Sequence, residues 1–110
     1  NSKFEVSDVL VANSEEEIKL NMLNDFSLSE AYPNPFNPNT SFNISIPSAG
    51  YLSIKVFNVS GQLVDVITSG VYNANTYTFT WNANNMATGM YVINAEFEGN
   101  SISHNVSLIK

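Results

Sequence analysis

The chain has 110 residues, 44% of them hydrophobic and only 13% charged, and ten acidic residues against four lysines leave a net charge of −6. This balance predicts one domain with a packed core and argues against nucleic-acid binding, which needs a basic surface. With no cysteine, disulfides and thiolate metal sites are excluded.

The acidic charge is concentrated at the start of the chain. Residues 1–30 hold seven acidic residues and two lysines, a net charge of −5, whereas residues 31–110 have a net charge of −1. This shift predicts a boundary near residue 25. We expect residues 1–25 to be an acidic linker or the tail of an upstream cargo domain, and residues 26–110 to be a separate domain.

Two short elements are compatible with the first segment. Phe4–Val11 is a plausible strand, and the capping-box pair Ser14 and Glu17 permits a short helix over 15–23. Because an unpaired strand tends to add to a sheet edge, we expect a weak homodimer through residues 4–11. No basic segment followed by an apolar one opens the chain, so we expect no signal peptide at its start. Because the sequence begins at Asn1 without a Met, we expect it to be a piece of a longer protein.

After residue 25 the pattern is typical of β-strands throughout, with apolar and polar residues alternating between turn signals. The predicted strands are 26–29, 42–46, 51–57, 63–67, 77–81, 90–97 and 102–109. Seven short strands without a helix predict an all-β fold, an Ig-like antiparallel β-sandwich. Turns are expected at 47–50, 58–61 and 98–100, with Gly61 free to take a positive φ.

The alternation also predicts the core, because residues of one parity along a strand share a face. The residues expected to be buried are Phe42, Ile44, Leu52, Ile54, Val56, Phe79, Trp81, Tyr91, Ile93 and Val106.

The residues of the chain offer little for catalysis. One histidine cannot build a zinc site, and His104 shares the parity of its apolar neighbours, which predicts a partly buried structural role. Glu15–Glu17 is expected to be a solvated acidic loop, since no calcium-loop pattern surrounds it. We expect no enzyme activity, no metal and no cofactor.

One proline-rich segment is more distinctive than the loops of a generic β domain. Residues 31–40 read Ala-Tyr-Pro-Asn-Pro-Phe-Asn-Pro-Asn-Thr, with Phe36 as an aromatic anchor. Each proline fixes its own φ and biases its predecessor to an extended conformation. The segment therefore predicts a stiff connection between two sheets.

Residues 32–38 resemble the signature of the type A C-terminal sorting domain of the type IX secretion system. Further similar motifs follow at 47–50, 56–64, 80–82, 86–92 and 108–110, so the resemblance covers residues 26–110. Family members often carry basic residues in the final strand, where this chain has His104-Asn105.

The resemblance implies a C-terminal secretion signal that directs an attached cargo protein across the outer membrane. The implied partners are the outer-membrane type IX machinery, its sortase-like protease and a covalently attached N-terminal cargo domain. The implied route is the periplasm in transit and then the cell surface or the extracellular space, with the signal cleaved or the cargo anchored at the surface. The recognition candidates are Pro33, Asn34, Pro35, Phe36, Asn37, Pro38, Gly89, Tyr91 and Lys110.

An alternative function stays open at this point. A non-catalytic Ig-like spacer, adhesion module or carbohydrate-binding module of a secreted protein would use the same fold. Exposed aromatic residues such as Tyr32, Tyr51 or Tyr72 would then bind the carbohydrate.

Overall fold

The computed structural model describes residues 26–110, which form two antiparallel sheets. The seven strands are β1 (Ser27–Leu28), β2 (Asn39–Ile46), β3 (Gly50–Asn58), β4 (Leu63–Tyr72), β5 (Asn75–Asn82), β6 (Gly89–Phe97) and β7 (Asn100–Leu108). One sheet has the order β1-β2-β5 and the other the order β4-β3-β6-β7. The predicted Ig-like antiparallel β-sandwich is confirmed.

The alternation of apolar and polar residues determines which face of each strand is buried. In β2, Phe42, Ile44 and Ile46 are buried while Asn43 is exposed. In β3, Leu52 and Ile54 are likewise fully buried. The apolar faces of the two sheets form a single cluster between them.

Nine of the ten predicted core residues are buried. Phe79 is only half-buried, because its strand β5 lies at a sheet edge, where the ring packs against Tyr72 and Tyr77. The prediction omitted eight further buried apolar residues: Leu28, Ala31, Phe36, Ile46, Ala83, Ala95, Phe97 and Leu108.

The predicted fourth strand was too short. A strand was expected at 63–67, but β4 continues to Tyr72 and pairs along the whole of β3, from Phe57↔Leu63 to Gly50↔Tyr72. The ladder offered by β3 outweighs the weak strand preference of Ser69-Gly70, since strand propensity depends strongly on context.

Two of the predicted turns have backbone angles that favour glycine. Gly61 has a φ of 83° between β3 and β4, as predicted. Between β6 and β7, Glu98 (φ 48°) and Gly99 (φ 86°) form a two-residue hairpin turn.

The predicted strand at 4–11, the helix at 15–23, the acidic loop at 15–17 and the segment 1–25 as a whole lie outside the described residues. The weak homodimer through residues 4–11 therefore stays a prediction. Within residues 26–110, no helix has the length and apolarity that a membrane span requires.

Candidate recognition site at the proline loop

The proline loop, residues 33–38, crosses from one sheet to the other. Immediately before it, Tyr32 forms an antiparallel bridge with Ser41 of β2, with backbone N–O distances of 2.8 and 3.0 Å. Four residues later, Phe36 forms a parallel bridge with Leu108 of β7. All three Xaa–Pro bonds of the loop are cis. The loop thus connects the two sheets, as its sequence predicts.

The loop attaches to the outer edge of β7 through four hydrogen bonds. The Asn34 side chain accepts from the Ser107 amide through Oδ1 (2.9 Å) and donates from Nδ2 to the Asn105 carbonyl (3.3 Å). The Phe36 amide donates to the Ser107 carbonyl (2.9 Å), and the Phe36 carbonyl accepts from the Ile109 amide (3.0 Å). The loop therefore covers half of an edge that would otherwise be open to pairing with another chain.

An aromatic cluster anchors the loop from inside the sandwich. Phe36 is 2% exposed, and its ring centroid lies 5.6 Å from that of Trp81. Trp81 in turn packs edge-on against Tyr91 at 5.3 Å and donates from Nε1 to the Asp65 carboxylate at 2.8 Å. These contacts fix the loop to both sheets, because Trp81 belongs to β5 and Tyr91 to β6.

The connection between β5 and β6 closes the same end of the sandwich. The Ala83 amide donates to the Pro38 carbonyl at 2.8 Å. The hydroxyl of Tyr91 donates to the Ala87 carbonyl at 2.6 Å. The Gly–x–Tyr motif of residues 89–91 therefore forms the corner from which β6 starts.

The last residue also contacts this connection. Lys110 donates from its amide to the Thr88 hydroxyl (3.1 Å) and from Nζ to the Asn84 carbonyl (2.8 Å). Gly89, which follows Thr88, pairs with Leu108 in the β6–β7 ladder. The proline loop, the start of β6 and the end of the chain thus share one end of the fold.

A sequence model of the secretion system C-terminal sorting domain matches residues 30–109. The chain belongs to this family. Residues 30–109 include the proline loop and all of β7, so the match covers the contacts between them, while Lys110 lies one residue beyond it. No curated protein matches the chain. Among solved structures, the CARDB domain of a Pyrococcus furiosus protein, solved in complex with di-metal ions, has 17% identity and a TM-score of 0.41, over 76% of this chain and 89% of that one.

Membership in the sorting-domain family gives the general function of this chain. The sorting domain is a C-terminal signal of the type IX secretion system, and it directs export to the cell surface or the extracellular space.

The nine recognition candidates of the sorting domain lie together but differ in exposure. Phe36 and Tyr91 are buried and hold the site from inside, while Pro38 and Gly89 are half-buried. The exposed candidates are Pro33, Asn34, Pro35, Asn37 and Lys110. We call these five the recognition surface.

The sequence prediction did not include several residues that complete this surface. Tyr32 (81% exposed) and Ile109 (51% exposed) flank the loop, and Thr88 and Asn84 receive the hydrogen bonds of Lys110. No local signal identifies these partners, because they lie more than 20 residues from Lys110 along the chain.

The described residues contain no group of three or more His, Cys, Asp or Glu side chains that could hold a metal ion. His104 is half-buried, and its Nε2 lies 2.8 Å from the Leu28 carbonyl. A carbonyl only accepts, so Nε2 carries the proton and donates. This bond ties β7 to β1, which is the structural role predicted for the histidine.

Proposed function

We propose that the outer-membrane machinery of the type IX system recognises the folded sorting domain through the recognition surface. The observation that supports this is the attachment of the proline loop, which carries the family signature, to β7 by four hydrogen bonds. Signature and final strand thus form one continuous surface. A receptor that binds there contacts the two ends of the family motif at once.

Recognition of this kind requires the fold. Asn34 and Asn105 are separated by 71 positions in the sequence and meet only when both sheets are formed. An unfolded chain would not present the surface, so the proposed receptor distinguishes a folded sorting domain from an unfolded one.

The further steps of the proposal concern the cargo. The attached protein lies on the N-terminal side, with residues 1–25 as its linker or tail, and it passes through the periplasm before outer-membrane transport. A sortase-like protease then removes the domain, and the cargo is anchored at the surface or released. The proposal assigns binding and no catalysis to residues 26–110.

A fusion experiment tests this function. The full chain is fused behind a periplasm-directed reporter in a host with an active type IX system. We expect the reporter at the cell surface or in the medium, and we expect deletion of residues 109–110 to retain it in the periplasm. If the intact fusion stays in the periplasm while the host exports its own cargo, the domain is a spacer.

Single substitutions separate recognition from folding. Lys110→Ala should change the free energy of unfolding by no more than about 0.5 kcal/mol, because the side chain is exposed, yet it should reduce export. Val71→Ser is the matched control, since Val71 is exposed on β4 and belongs to no part of the recognition surface. Equal export of both variants would remove Lys110 from the proposed surface.

A further inference from the structure

A shallow groove of about 330 Å³ lies on the outward face of the β4-β3-β6-β7 sheet, at the end opposite the proline loop. It is lined by Tyr51, Ser53, Lys55, Ser69, Glu96, Glu98 and Gly99. The strand register builds it, because Ser53 of β3 stands opposite Ser69 of β4 and Glu96 of β6.

The floor of the groove is the hydroxyl of Ser53. Ser53 lies between the inward-facing Leu52 and Ile54, so its side chain faces outward, yet it is only 7% exposed. Within residues 26–110, no hydrogen bond involves its hydroxyl. Buried polar side chains in proteins usually have a partner, so the Ser53 hydroxyl is available to a ligand in the groove.

Tyr51 forms an aromatic wall that is fixed in place. Its hydroxyl is hydrogen-bonded to the Ser69 hydroxyl on the neighbouring strand. Because Tyr51 itself pairs with Val71, this diagonal bond lays the ring across the sheet surface. The side chain is nevertheless 52% exposed, so the ring offers a flat apolar surface to a ligand without losing further side-chain freedom.

The charged groups around the groove have mixed signs. Lys55 of β3 lines the groove together with Glu96 of β6 and Glu98 of the following turn. One oxygen of Glu98 accepts from the Tyr51 amide at 2.9 Å, which fixes that carboxylate at the groove. Hydrogen-bond donors and acceptors are therefore both present, and the three charged side chains have a net charge of −1.

We propose that this groove binds a neutral saccharide. A sugar ring has an apolar face of C–H groups that suits the Tyr51 ring and a rim of hydroxyls that both donate and accept. Carboxylates, an ammonium group and serine hydroxyls complement that rim. An apolar surface with a few fixed polar groups is the usual composition of a small-molecule site.

Other ligand classes fit the groove less well. An anion such as phosphate would meet two carboxylates and one lysine on a chain whose net charge is −6. A cationic peptide would be attracted by the two carboxylates but repelled by the Lys55 ammonium of the same groove. A neutral ligand avoids both repulsions.

The inference does not rest on the proposed recognition surface. Ser53, at the floor of the groove, lies five residues before Asn58 at the proline-loop end of β3, which separates the two residues by about 16 Å. Saccharide binding and export can therefore fail independently of each other.

Nuclear magnetic resonance titration of the ¹⁵N-labelled full chain tests the groove. The probes are cellohexaose and xylohexaose, with inorganic phosphate and trilysine as charged comparisons. We expect a hexasaccharide to shift the amides of Tyr51, Ser53, Ser69 and Glu96 and neither charged probe to do so. The inference is wrong if both hexasaccharides leave these amides unchanged up to about 10 mM, a level that corresponds to very weak binding.

Variants show whether the groove itself is responsible. Tyr51→Ala should weaken saccharide binding about tenfold or more, while Tyr32→Ala, an exposed tyrosine outside the groove, should leave it unchanged. Glu96→Gln keeps an acceptor and should weaken saccharide binding by about threefold or less. If trilysine shifts these amides in the parent chain but not in Glu96→Gln, the groove binds cations and the inference is wrong.

A second variant covers the case in which Tyr51→Ala does not fold. Ser53→Val removes the hydroxyl from the floor and fills the space above it with a residue that suits a strand. We expect a folded spectrum without saccharide shifts. Binding that survives Ser53→Val or a folded Tyr51→Ala would overturn the assignment of the groove.

Discussion

The proline loop and the turn between β3 and β4 each contain a hydrogen-bonding asparagine, but the two asparagines play different roles. In the turn, Asn58 Oδ1 accepts from the amides of Ser60 and Gln62, both at 3.0 Å. In the proline loop, Asn34 Oδ1 accepts from the amide of Ser107 at 2.9 Å. One asparagine closes a local turn, and the other joins segments separated by 73 positions.

The difference shows what each asparagine stabilises. Asn58 fixes the geometry of four residues that are already neighbours, which is ordinary turn chemistry. Asn34 holds the loop to the outer edge of β7 and so links the first and last parts of residues 26–110. Loss of Asn58 should therefore have local effects, whereas loss of Asn34 should free the end of the chain.

The largest expected effect comes from Trp81, which contacts the proline loop and the strand β4 that follows the turn. Trp81 is 2% exposed, packs on Phe36 of the loop and donates to Asp65 of β4. Trp81→Ala should lower the free energy of unfolding by about 3–5 kcal/mol, as for other large core aromatics. Urea denaturation measures this, with Tyr32→Ala as the exposed aromatic control. Equal stability of the two variants would contradict the core assignment.

The second prediction isolates the loop. Asn34→Ala removes two hydrogen bonds to β7 and should cost about 1–2 kcal/mol. Hydrogen exchange should accelerate most at the amides of Ser107 and Ile109. Asn37→Ala is the matched control, because Asn37 is exposed in the same loop, and it should change stability by less than about 0.5 kcal/mol. Unchanged exchange at Ser107 in Asn34→Ala would show that the loop does not depend on this side chain.

The smallest effect isolates the turn. Asn58→Ala should cost about 0.5–1 kcal/mol, since water can replace its bonds at the surface. Faster hydrogen exchange should be confined to Ser60 and Gln62, and Val59→Ala at the exposed tip should leave both amides unaffected. Accelerated exchange at Ser107 in Asn58→Ala would mean that the two regions are coupled.

Local patterns were sufficient where a residue's environment depends on its own strand. The strict alternation of β2 predicted its buried face, and Gly61 predicted a positive φ in the turn. The same reasoning failed for β4, whose second half is a strand because β3 lies beside it. It also overestimated the burial of Phe79, because parity does not reveal that β5 lies at an edge.

The candidate site divides in a similar way. The motifs of the proline loop and of Gly89–Tyr91 were sufficient to predict the family and the residues of interest. Burial then separated their roles: Phe36 and Tyr91 lie in the interior, while Asn34 and Lys110 remain exposed. The alternative function had named Tyr51 as a carbohydrate-binding candidate, but the groove around Ser53 was not predicted, because its residues come from three strands and a turn whose order the sequence does not state.

The fold class, most of the core and the family follow from the sequence alone, because alternation, turn residues and the proline motif are properties of neighbouring residues. The edge that the proline loop covers, the aromatic ring that anchors it and the hydroxyl that lines the groove follow from the three-dimensional arrangement. Those outcomes depend on contacts between residues tens of positions apart, and such contacts exist only once the two sheets have paired and packed.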